Sequence, residues 1–234
     1  MPQAVTISFY RFASLRDRVW AFAMMALAPR RLRQVPDLGF WKLCGSGTGE
    51  GFTPVPNTAV FAILATWPDA DTARRRIASA LPFTRYRARA VEDWTVILTP
   101  TAARGDWSGR RPFDPAPATS DGPLAALTRA TIRPRRLWRF WRRVPEISRM
   151  IGRDPDVAFK IGIGEIPWLH QVTFSIWPDA AAMARFARRG HHAEAIRAVR
   201  EGDWFREELY ARFAIHSDLG TWNGTSPLAA LEAS

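Results

Sequence analysis

The chain has 234 residues, of which 47% are apolar, and its 33 basic and 22 acidic residues give a net charge of +11. This composition excludes a disordered chain, and the charge favours anionic partners such as membrane head groups, nucleic acid or an acidic protein. The single cysteine, Cys44, excludes an intramolecular disulfide and a cysteine-based zinc cluster, and it is typical of a reducing, cytoplasmic compartment.

The amino-terminal segment MPQAVTISFYRF predicts a strand, because apolar residues alternate from Val5 to Phe9. It lacks the charged start, the apolar run and the cleavage site of a signal peptide. The helical spacing of Leu15, Val19 and Phe22 predicts that a helix follows. The charge-free run that begins at Val19 has about half of the ~20 residues that a membrane-spanning helix needs. We therefore expect a helix that could lie on a membrane but does not cross it.

Two parts of the chain repeat the same phrases in the same order. TWPDADTARR returns as IWPDAAAMAR, PDLGFWKL as PDVAFKI, RARAVEDW as RAVREGDW, and DWSG as TWNG. If one residue is skipped, this alignment places Lys42 and Lys160, the only two lysines, at equivalent positions. Asp69 and Asp179 follow Trp-Pro in the two copies, where each aspartate could cap the helix that comes next.

Each copy has the pattern strand, helix, strand, strand, helix, strand. This order predicts an α+β fold in which two tandem ferredoxin-like (βαββαβ) repeats form a dimeric-α/β-barrel-like architecture within one chain. We expect a first repeat with a glycine-rich loop at residues 1–110, a linker at 111–123, a second repeat at 124–224 and a tail at 225–234. Sheet edges left exposed by the repeats would favour a homodimer.

The glycine-rich loop CGSGTGEGFTPVPN, residues 44–57, permits two interpretations. Its glycines could let backbone amides approach a phosphate or a carboxylate closely, or they could serve a long hairpin loop. A dinucleotide-binding or P-loop function is excluded, because the segment leads into a strand and does not open a helix.

The four histidines are the candidate metal ligands. Their spacing matches no zinc motif, but a haem iron requires only one protein ligand. His192 lies on the apolar face of the last long predicted helix, and His170 shares the buried face of its strand with Val172. Either could also be an ordinary hydrogen-bonded core histidine. His191 and His216 are expected to face solvent.

The segment IRPRRLWRFWRRVPEISRMIG, residues 132–152, predicts an amphipathic helix. Its apolar and basic residues fall on separate faces: Leu137, Phe140, Trp141 and Val144 on one, and Arg136, Arg139 and Arg143 on the other. Arginine beside tryptophan is typical of helices at an anionic membrane surface, and the same residues could bind nucleic acid through phosphate contacts and stacking. A helix that packs its aromatic face on the sheet is the third interpretation.

Three long strings carry a family resemblance: LGFWKLCGSGTGEGFTPVPNTAVFAILATWPDA, FKIGIGEIPWLHQVTFSIWPDA and DWFREELYARF. With them the chain resembles the spheroidene monooxygenase family, the acyclic carotenoid 2-ketolases of purple photosynthetic bacteria, from about Val5 to Gly224. The resemblance implies a haem-dependent monooxygenase of carotenoid biosynthesis. It would oxidise C-2 of spheroidene and hydroxyspheroidene to the 2-ketone, as in spheroidenone, with dioxygen and electrons from a reduced ferredoxin.

The implied cofactor is haem b, which would supply the oxidising power that side chains lack, while arginines pair with its propionates. The second repeat would be the haem-binding half. We expect His192 as the axial ligand of the iron, His170 as the alternative and Cys44 as the third choice. The resemblance brings no residue-level catalytic motif, so the catalytic residues are unassigned.

The implied carotenoid substrate resides in the bilayer, so the enzyme would be cytoplasmic and peripherally associated with the inner or photosynthetic membrane. The expected docking residues are Arg136, Trp138, Arg139, Trp141 and Arg143, and the run Trp20–Leu27 is a second docking element. The positive field could also attract an acidic ferredoxin.

Without the resemblance, two other functions are open. The chain could be a non-catalytic basic module that binds membrane or nucleic acid, or a cofactor-free monooxygenase on the same fold. Under the monooxygenase function a nucleic-acid partner is not expected.

Overall fold

Strands and helices alternate in this computed structural model, which describes residues 1–49, 51–117, 122–142, 157–188 and 202–232. The strands are β1 (Ala4–Arg11), β2 (Trp41–Gly47), β3 (Pro56–Trp67), β4 (Glu92–Gly105), β5 (Leu124–Ile132), β6 (Phe159–Gly164), β7 (His170–Trp177) and β8 (Phe205–Gly220). The helices are α1 (Leu15–Leu32), α2 (Ala70–Ser79), α3 (Leu81–Arg87), α4 (Ala180–Arg188) and α5 (Ala229–Glu232). A 3₁₀ turn at Pro134–Arg136 leads into helical residues 137–142.

The strands close into one antiparallel barrel in the order β1-β3-β2-β6-β7-β5-β8-β4. The two halves of the chain meet along two seams of unequal length. The β4/β8 seam extends from the Trp94–Gly220 pair to the Gly105–Leu209 pair, whereas the β2/β6 seam has only the pairs Gly45–Gly164 and Ser46–Ile163. The expected mixed fold around a barrel within one chain is confirmed. Because each of these eight strands has two neighbours, the described strands do not leave the edges on which the expected homodimer rested.

Alternate side chains of the strands fill the inside of the barrel, as the period of two in a strand requires. Phe9, Trp94, Phe159, Phe174 and Phe213 belong to one apolar cluster in this interior, together with residues from every strand. The rings of Phe9 and Trp94 stack with centroids 5.4 Å apart. The barrel is therefore a packed core and not an open channel.

Helices α1, α2 and α3 cover the outer face of the first half, where a second apolar cluster forms. Helix α1 buries Ala21, Met24, Ala28 and Leu32 against this face. The larger apolar residues whose spacing predicts the helix lie on its other side, exposed to solvent. None of the described helices is long and apolar enough to cross a membrane.

The predicted caps of two helices are confirmed. The Asp69 carboxylate accepts a hydrogen bond from the Thr72 amide at 2.7 Å, and the Asp179 carboxylate accepts one from the Ala182 amide at 2.6 Å. Each aspartate thereby pairs an amide that the first turn of the helix leaves unbonded.

The predicted equivalence of Lys42 and Lys160 is wrong. Counted back from the repeated Trp-Pro-Asp-Ala phrase, Lys42 lies opposite Leu64 of β3, whereas Lys160 lies opposite Ser175 of β7, one residue nearer to the phrase. Because side chains alternate along a strand, this offset turns Lys42 towards the barrel interior and Lys160 away from it.

The glycine-rich loop lies against β6 of the other half. Gly51 has φ +90°, and a Cβ atom there would lie 1.7 Å from the carbonyl oxygen of Gly162. Two backbones can approach this closely only where both residues lack a side chain. The contact supports the interpretation of the segment as a long hairpin loop.

Candidate functional site

Glu165 joins side chains from several strands at one end of the barrel. Its Oε1 atom accepts a hydrogen bond from Lys42 Nζ at 2.5 Å, and its Oε2 atom accepts one from Trp107 Nε1 at 2.7 Å. His170 Nδ1 lies 3.4 Å from Oε2. These residues meet because β2 and β7 begin at this end, while β4 and β6 finish there.

Arg129 is the most deeply buried charge of this cluster, with 1% of its side chain exposed. It faces the barrel interior because it continues the inward positions of Ala125 and Leu127 on β5. Its guanidinium pairs with the Glu207 carboxylate, and its Nη2 atom lies 3.7 Å from Glu165 Oε2. Two cations therefore meet two carboxylates in this buried cluster, so their charges balance.

The environment of each carboxylate sets its pKa. Burial raises the pKa of Glu165, but the close contacts of His170, Lys42 and Trp107 lower it by more, to about 2. Burial also raises the pKa of Glu207, and hydrogen bonds from the Gly109 and Ser108 amides, with the charge of Arg129, lower it below its ordinary value. Both groups are therefore carboxylates at neutral pH.

Two nitrogens of the cluster are incompletely bonded. His170 Nδ1 and Arg129 Nε are buried without a hydrogen-bond partner in the part of the chain that the structure describes. Such atoms are rare in folded proteins, and a water molecule or a ligand group could pair with them. The cluster can hold charge and position a polar group at this end of the barrel.

A cavity of about 400 Å³ opens at the short β2/β6 seam. Phe159 and Trp222 supply its aromatic wall, and Arg11 and Lys160 supply positive charge. Arg11 is held in place by Glu92, at 2.8 Å, and by the Trp222 ring, whose centroid lies 4.3 Å from the guanidinium carbon. The cavity at the β2/β6 seam therefore combines apolar surface with cations, as binding sites for small amphipathic ligands do.

The outer faces of the two halves differ. In the first half, Phe61, Ile63 and Trp67 of β3 are buried under the helices. On β5 and β7 the outward positions carry small side chains that are exposed or half-buried, namely Ala126, Thr128, Ala130 and Thr173. Arg212 of β8 is exposed on the same face.

This contrast limits where a flat group such as a porphyrin would fit. The packed interior leaves no room for a porphyrin inside the barrel beside His170. The small side chains of the outer β5/β7 face fit a flat group, and Arg212 could pair with a carboxylate there. Among the described residues no group of three or more His, Cys, Asp or Glu side chains is arranged to hold a metal ion.

The structure places the expected haem ligands in different surroundings, and it does not describe all of them. His192, like His191, lies outside the described residues. His170 faces the barrel interior as expected, and His216 is exposed as expected. Cys44 is enclosed in the apolar interior, where burial raises the pKa of its thiol. A protonated and enclosed thiol does not suit an axial thiolate, so Cys44 is not supported as a ligand.

The expected docking residues lie in and before the helical residues 137–142, except Arg143, which is outside the described residues. Arg139 is exposed, Arg136 is half-buried, and Trp138 is 72% exposed with the Arg142 guanidinium 4.8 Å from its ring centroid. Trp141 is half-buried and donates a hydrogen bond from Nε1 to the Trp168 carbonyl at 3.1 Å. The segment thus packs one tryptophan and exposes another.

The residue patterns do not single out Lys42, Glu165 and Arg129 as a cluster, because their contacts join segments far apart in the chain. The sequence contained one indication of this cluster. Arg129 occupies an apolar position in the alternation of LAALTRATI, and a charge on the buried face of a strand requires a partner.

No protein-family model matches the chain. Curated relatives match almost all of it. A spheroidene monooxygenase from Cereibacter sphaeroides is 51% identical over 229 residues, which are 97% of this chain and 71% of that protein. Spheroidene monooxygenases from Rhodobacter capsulatus and Rubrivivax gelatinosus are 49% and 35% identical, over 98% and 88% of this chain and 97% and 80% of those proteins.

Solved structures share the fold at low sequence identity. An aldoxime dehydratase has a TM-score of 0.65 at 10% identity, over 97% of this chain and 87% of that one. A second aldoxime dehydratase, in complex with butyraldoxime, has a TM-score of 0.62 at 12% identity, over 97% and 86% of the two chains. At this identity the likeness establishes the barrel fold alone.

Proposed function

The chain belongs to the spheroidene monooxygenase family, and from that membership we propose that it oxidises C-2 of spheroidene and hydroxyspheroidene to the 2-ketone. It is a monooxygenase, an oxidoreductase that uses dioxygen. The observation that carries the proposal is its identity, over nearly the whole chain, to proteins of that name. A reduced ferredoxin is the proposed electron donor, because the net charge of +11 attracts an acidic partner.

The ketone requires two oxidations at the same carbon. The first inserts one oxygen atom into a C–H bond while the other atom of dioxygen leaves as water, with two electrons and two protons supplied. The second repeats this step and yields a geminal diol, which loses water to become the ketone. Oxidation of an unactivated C–H bond lies beyond side-chain chemistry, which is why a redox cofactor belongs to the proposal.

We propose haem b as that cofactor, with His192 as its axial ligand. His170, the alternative expected from the sequence, faces the packed interior, which has no room for a porphyrin beside it. When bound, the haem activates dioxygen. The small side chains of the outer β5/β7 face support a site there, and the exposed Arg212 could hold a propionate.

The proposed architecture consists of two tandem ferredoxin-like repeats that form one barrel. The strand orders of the two halves support it: β4-β1-β3-β2 in the first half corresponds to β8-β5-β7-β6 in the second. Each half would supply one sheet of four strands. On this basis the small-residue outer face belongs to the second repeat, the proposed haem-binding half.

We propose that the enzyme meets its substrate at the periphery of the inner or photosynthetic membrane. Arg136, Trp138, Arg139, Trp141 and Arg143 form the proposed docking segment. The exposed ring of Trp138 beside Arg142 supports it, since a tryptophan at head-group depth next to a guanidinium suits a membrane interface.

The test is the absorption spectrum of the purified chain after haem reconstitution, recorded beside turnover of spheroidene with a reduced ferredoxin. We expect a Soret band and ketone product for the wild type, and loss of both in His192→Ala. The matched control is His191→Ala, which changes the adjacent histidine and should keep the band.

Four other outcomes would contradict parts of the proposal. Loss of the band only in His170→Ala would move the ligand to the alternative, and a band that survives both changes would overturn both ligands. A colourless protein that still forms ketone would establish a cofactor-free monooxygenase. A colourless protein without turnover that retards RNA in a gel would establish a nucleic-acid-binding module.

A further inference from the structure

Helix α1 exposes large apolar side chains along one face. Leu15 is 76% exposed, Val19 61%, Phe22 73% and Leu27 60%. Their spacing of three to five residues places them on the side opposite to Ala21, Met24, Ala28 and Leu32, which pack on the sheet. A soluble protein rarely exposes this many large apolar residues on one helix unless the surface binds something.

Arginines flank this face, and its centre carries no charge. Between Val19 and Pro29 the helix has no ionisable residue, whereas Arg16 precedes this stretch and Arg30, Arg31 and Arg33 follow it. Within the described residues, Arg30, Arg31 and Arg33 form no ion pair. The acidic residue of the helix, Asp17, is bound by Arg89 at 3.0 Å and by the Ser14 hydroxyl at 2.6 Å. The unneutralised charge of this surface is therefore positive.

A groove of about 640 Å³ continues the surface at the C-terminal end of α1. Arg30 and Arg31 line one side, Arg76 lines the other, and Leu81 adds an apolar side chain that is 58% exposed. Asp37 engages Arg76 through two hydrogen bonds, but among the described residues that line the groove none is a carboxylate. Guanidinium groups beside apolar surface suit the phosphate of a lipid head group.

We propose that α1 is a membrane-docking helix: its exposed apolar face enters the acyl boundary of an anionic bilayer, and the groove at its end holds a lipid phosphate. With 18 residues the helix is about 27 Å long. It can lie in the interface plane with its apolar side chains below the head groups and its terminal arginines at phosphate depth. The inference deepens the proposed function, because it gives a polyene-oxidising enzyme a defined orientation on the membrane.

A second copy of the chain fits this face less well. In a two-fold symmetric, antiparallel pairing of two α1 helices, Arg30 and Arg33 of one copy would face Arg16 of the other. Like charges would meet at both ends, and Asp17 is already bound. An anionic lipid surface satisfies the same arginines without repulsion.

The test is co-sedimentation with vesicles of phosphatidylcholine containing phosphatidylglycerol, without substrate, haem or ferredoxin. We expect Phe22→Ser/Leu27→Ser to lower the vesicle partition coefficient at least about ten-fold, because each side chain loses its burial in the acyl region. The matched control is Val55→Ser/Leu219→Ser, which changes two exposed apolar residues outside α1 and should bind like the wild type. All four positions are exposed, so unfolding midpoints should stay unchanged.

The contribution of the arginines to vesicle binding is tested with Arg30→Gln/Arg31→Gln. Each arginine should account for about a five-fold loss on anionic vesicles, the factor that corresponds to ~1 kcal/mol, with no loss on pure phosphatidylcholine. The control Arg110→Gln/Arg111→Gln changes two adjacent exposed arginines outside α1, has the same net charge and should lose less.

Wild-type binding by both α1 variants would overturn the inference, and so would an equal loss in the controls. A change from dimer to monomer in Phe22→Ser/Leu27→Ser would assign the face to a second copy instead. Trp138→Ser reports separately on the proposed docking segment, and turnover reports on the proposed reaction, so neither result can be mistaken for failure of α1.

Discussion

At the residue scale, Glu165 is the centre of the buried charge cluster at one end of the barrel. It binds Lys42 and Trp107 across the barrel end, and it lies between them and the deeply buried Arg129. Burying these charges costs desolvation free energy, which their mutual attraction offsets. Removal of one member therefore leaves the remaining buried charges without a partner and destabilises the fold. The cluster therefore ties the two halves of the chain together through side chains as well as through strands.

Glu165→Gln should remove both stability and its dependence on pH. The folded pKa of about 2 lies below the ordinary value of 4.5, so the carboxylate stabilises the fold fully above about pH 4.5. That contribution is lost as pH falls from about 4.5 towards 2. We expect the variant to lose about 3 kcal/mol of unfolding free energy at pH 7 and to lack most of this decline.

Urea unfolding at several pH values between 3 and 7 measures the Glu165 effect. Glu208→Gln is the control, because Glu208 is an exposed carboxylate on β8 whose one side-chain contact within the described residues is a hydrogen bond accepted from Tyr210. Parallel stability curves for wild type and Glu165→Gln would contradict the assignment of the acid-sensitive step to Glu165.

At the element scale, the spacing of apolar residues predicts that a helix forms but not which of its faces packs on the sheet. The spacing of Leu15, Val19 and Phe22 correctly predicts a helix, yet the side chains that pack on the sheet are those on the opposite face. The aspartates after Trp-Pro predict both helix starts correctly, because a capping bond forms within three residues and needs no distant partner.

Asp179→Ala should destabilise the protein by about 1 kcal/mol, because the Ala182 amide loses its acceptor at the start of α4. Asp179→Asn keeps a capping oxygen and should cost a few tenths of that value. Thermal and urea unfolding of the two variants check the difference. Equal losses would mean that the carboxylate charge, and not the capping bond, stabilises α4.

At the scale of the whole molecule, the barrel closes along one long seam and one short seam. The β2/β6 seam has two residue pairs, so its closure also depends on contacts across it. The Ser46 hydroxyl donates to the Gly162 carbonyl at 2.8 Å, and the Gly51 backbone packs against the same glycine. The cavity lined by Phe159 and Trp222 opens beside this weaker seam.

Gly162→Ala should loosen the short seam selectively. The added Cβ atom would lie 2.5 Å from the Gly51 carbonyl oxygen, and backbone on both sides must move, at a cost of about 2 kcal/mol. Hydrogen exchange should accelerate for amides of β2 and β6 but not for those of β4 and β8. Gly45→Ala is the matched control, because its Cβ atom would meet nothing within 4 Å. Faster exchange throughout the barrel would instead indicate global destabilisation.

The sequence by itself determined the features that depend on near neighbours: the period of each strand and helix, the caps at Asp69 and Asp179, and the inward direction of His170. The three long strings quoted for the resemblance also indicated the family, which the 51% identity to a curated relative confirms. His192, whose place lies outside the described residues, stays a prediction.

Only the tertiary structure decided which strands close the barrel and which side chains meet at its ends. Lys42 lies on β2, Arg129 lies on β5 and Glu165 follows β6, so more than thirty residues separate each from the next. Their meeting depends on the register of the barrel strands, because an offset of one residue turns a side chain to the opposite face. For the same reason the repeat aligned Lys42 with Lys160, although the two side chains point to opposite faces. Whether the apolar stripe of α1 would be buried or exposed also depended on packing, because an amphipathic helix can turn either face to the sheet when both carry apolar residues.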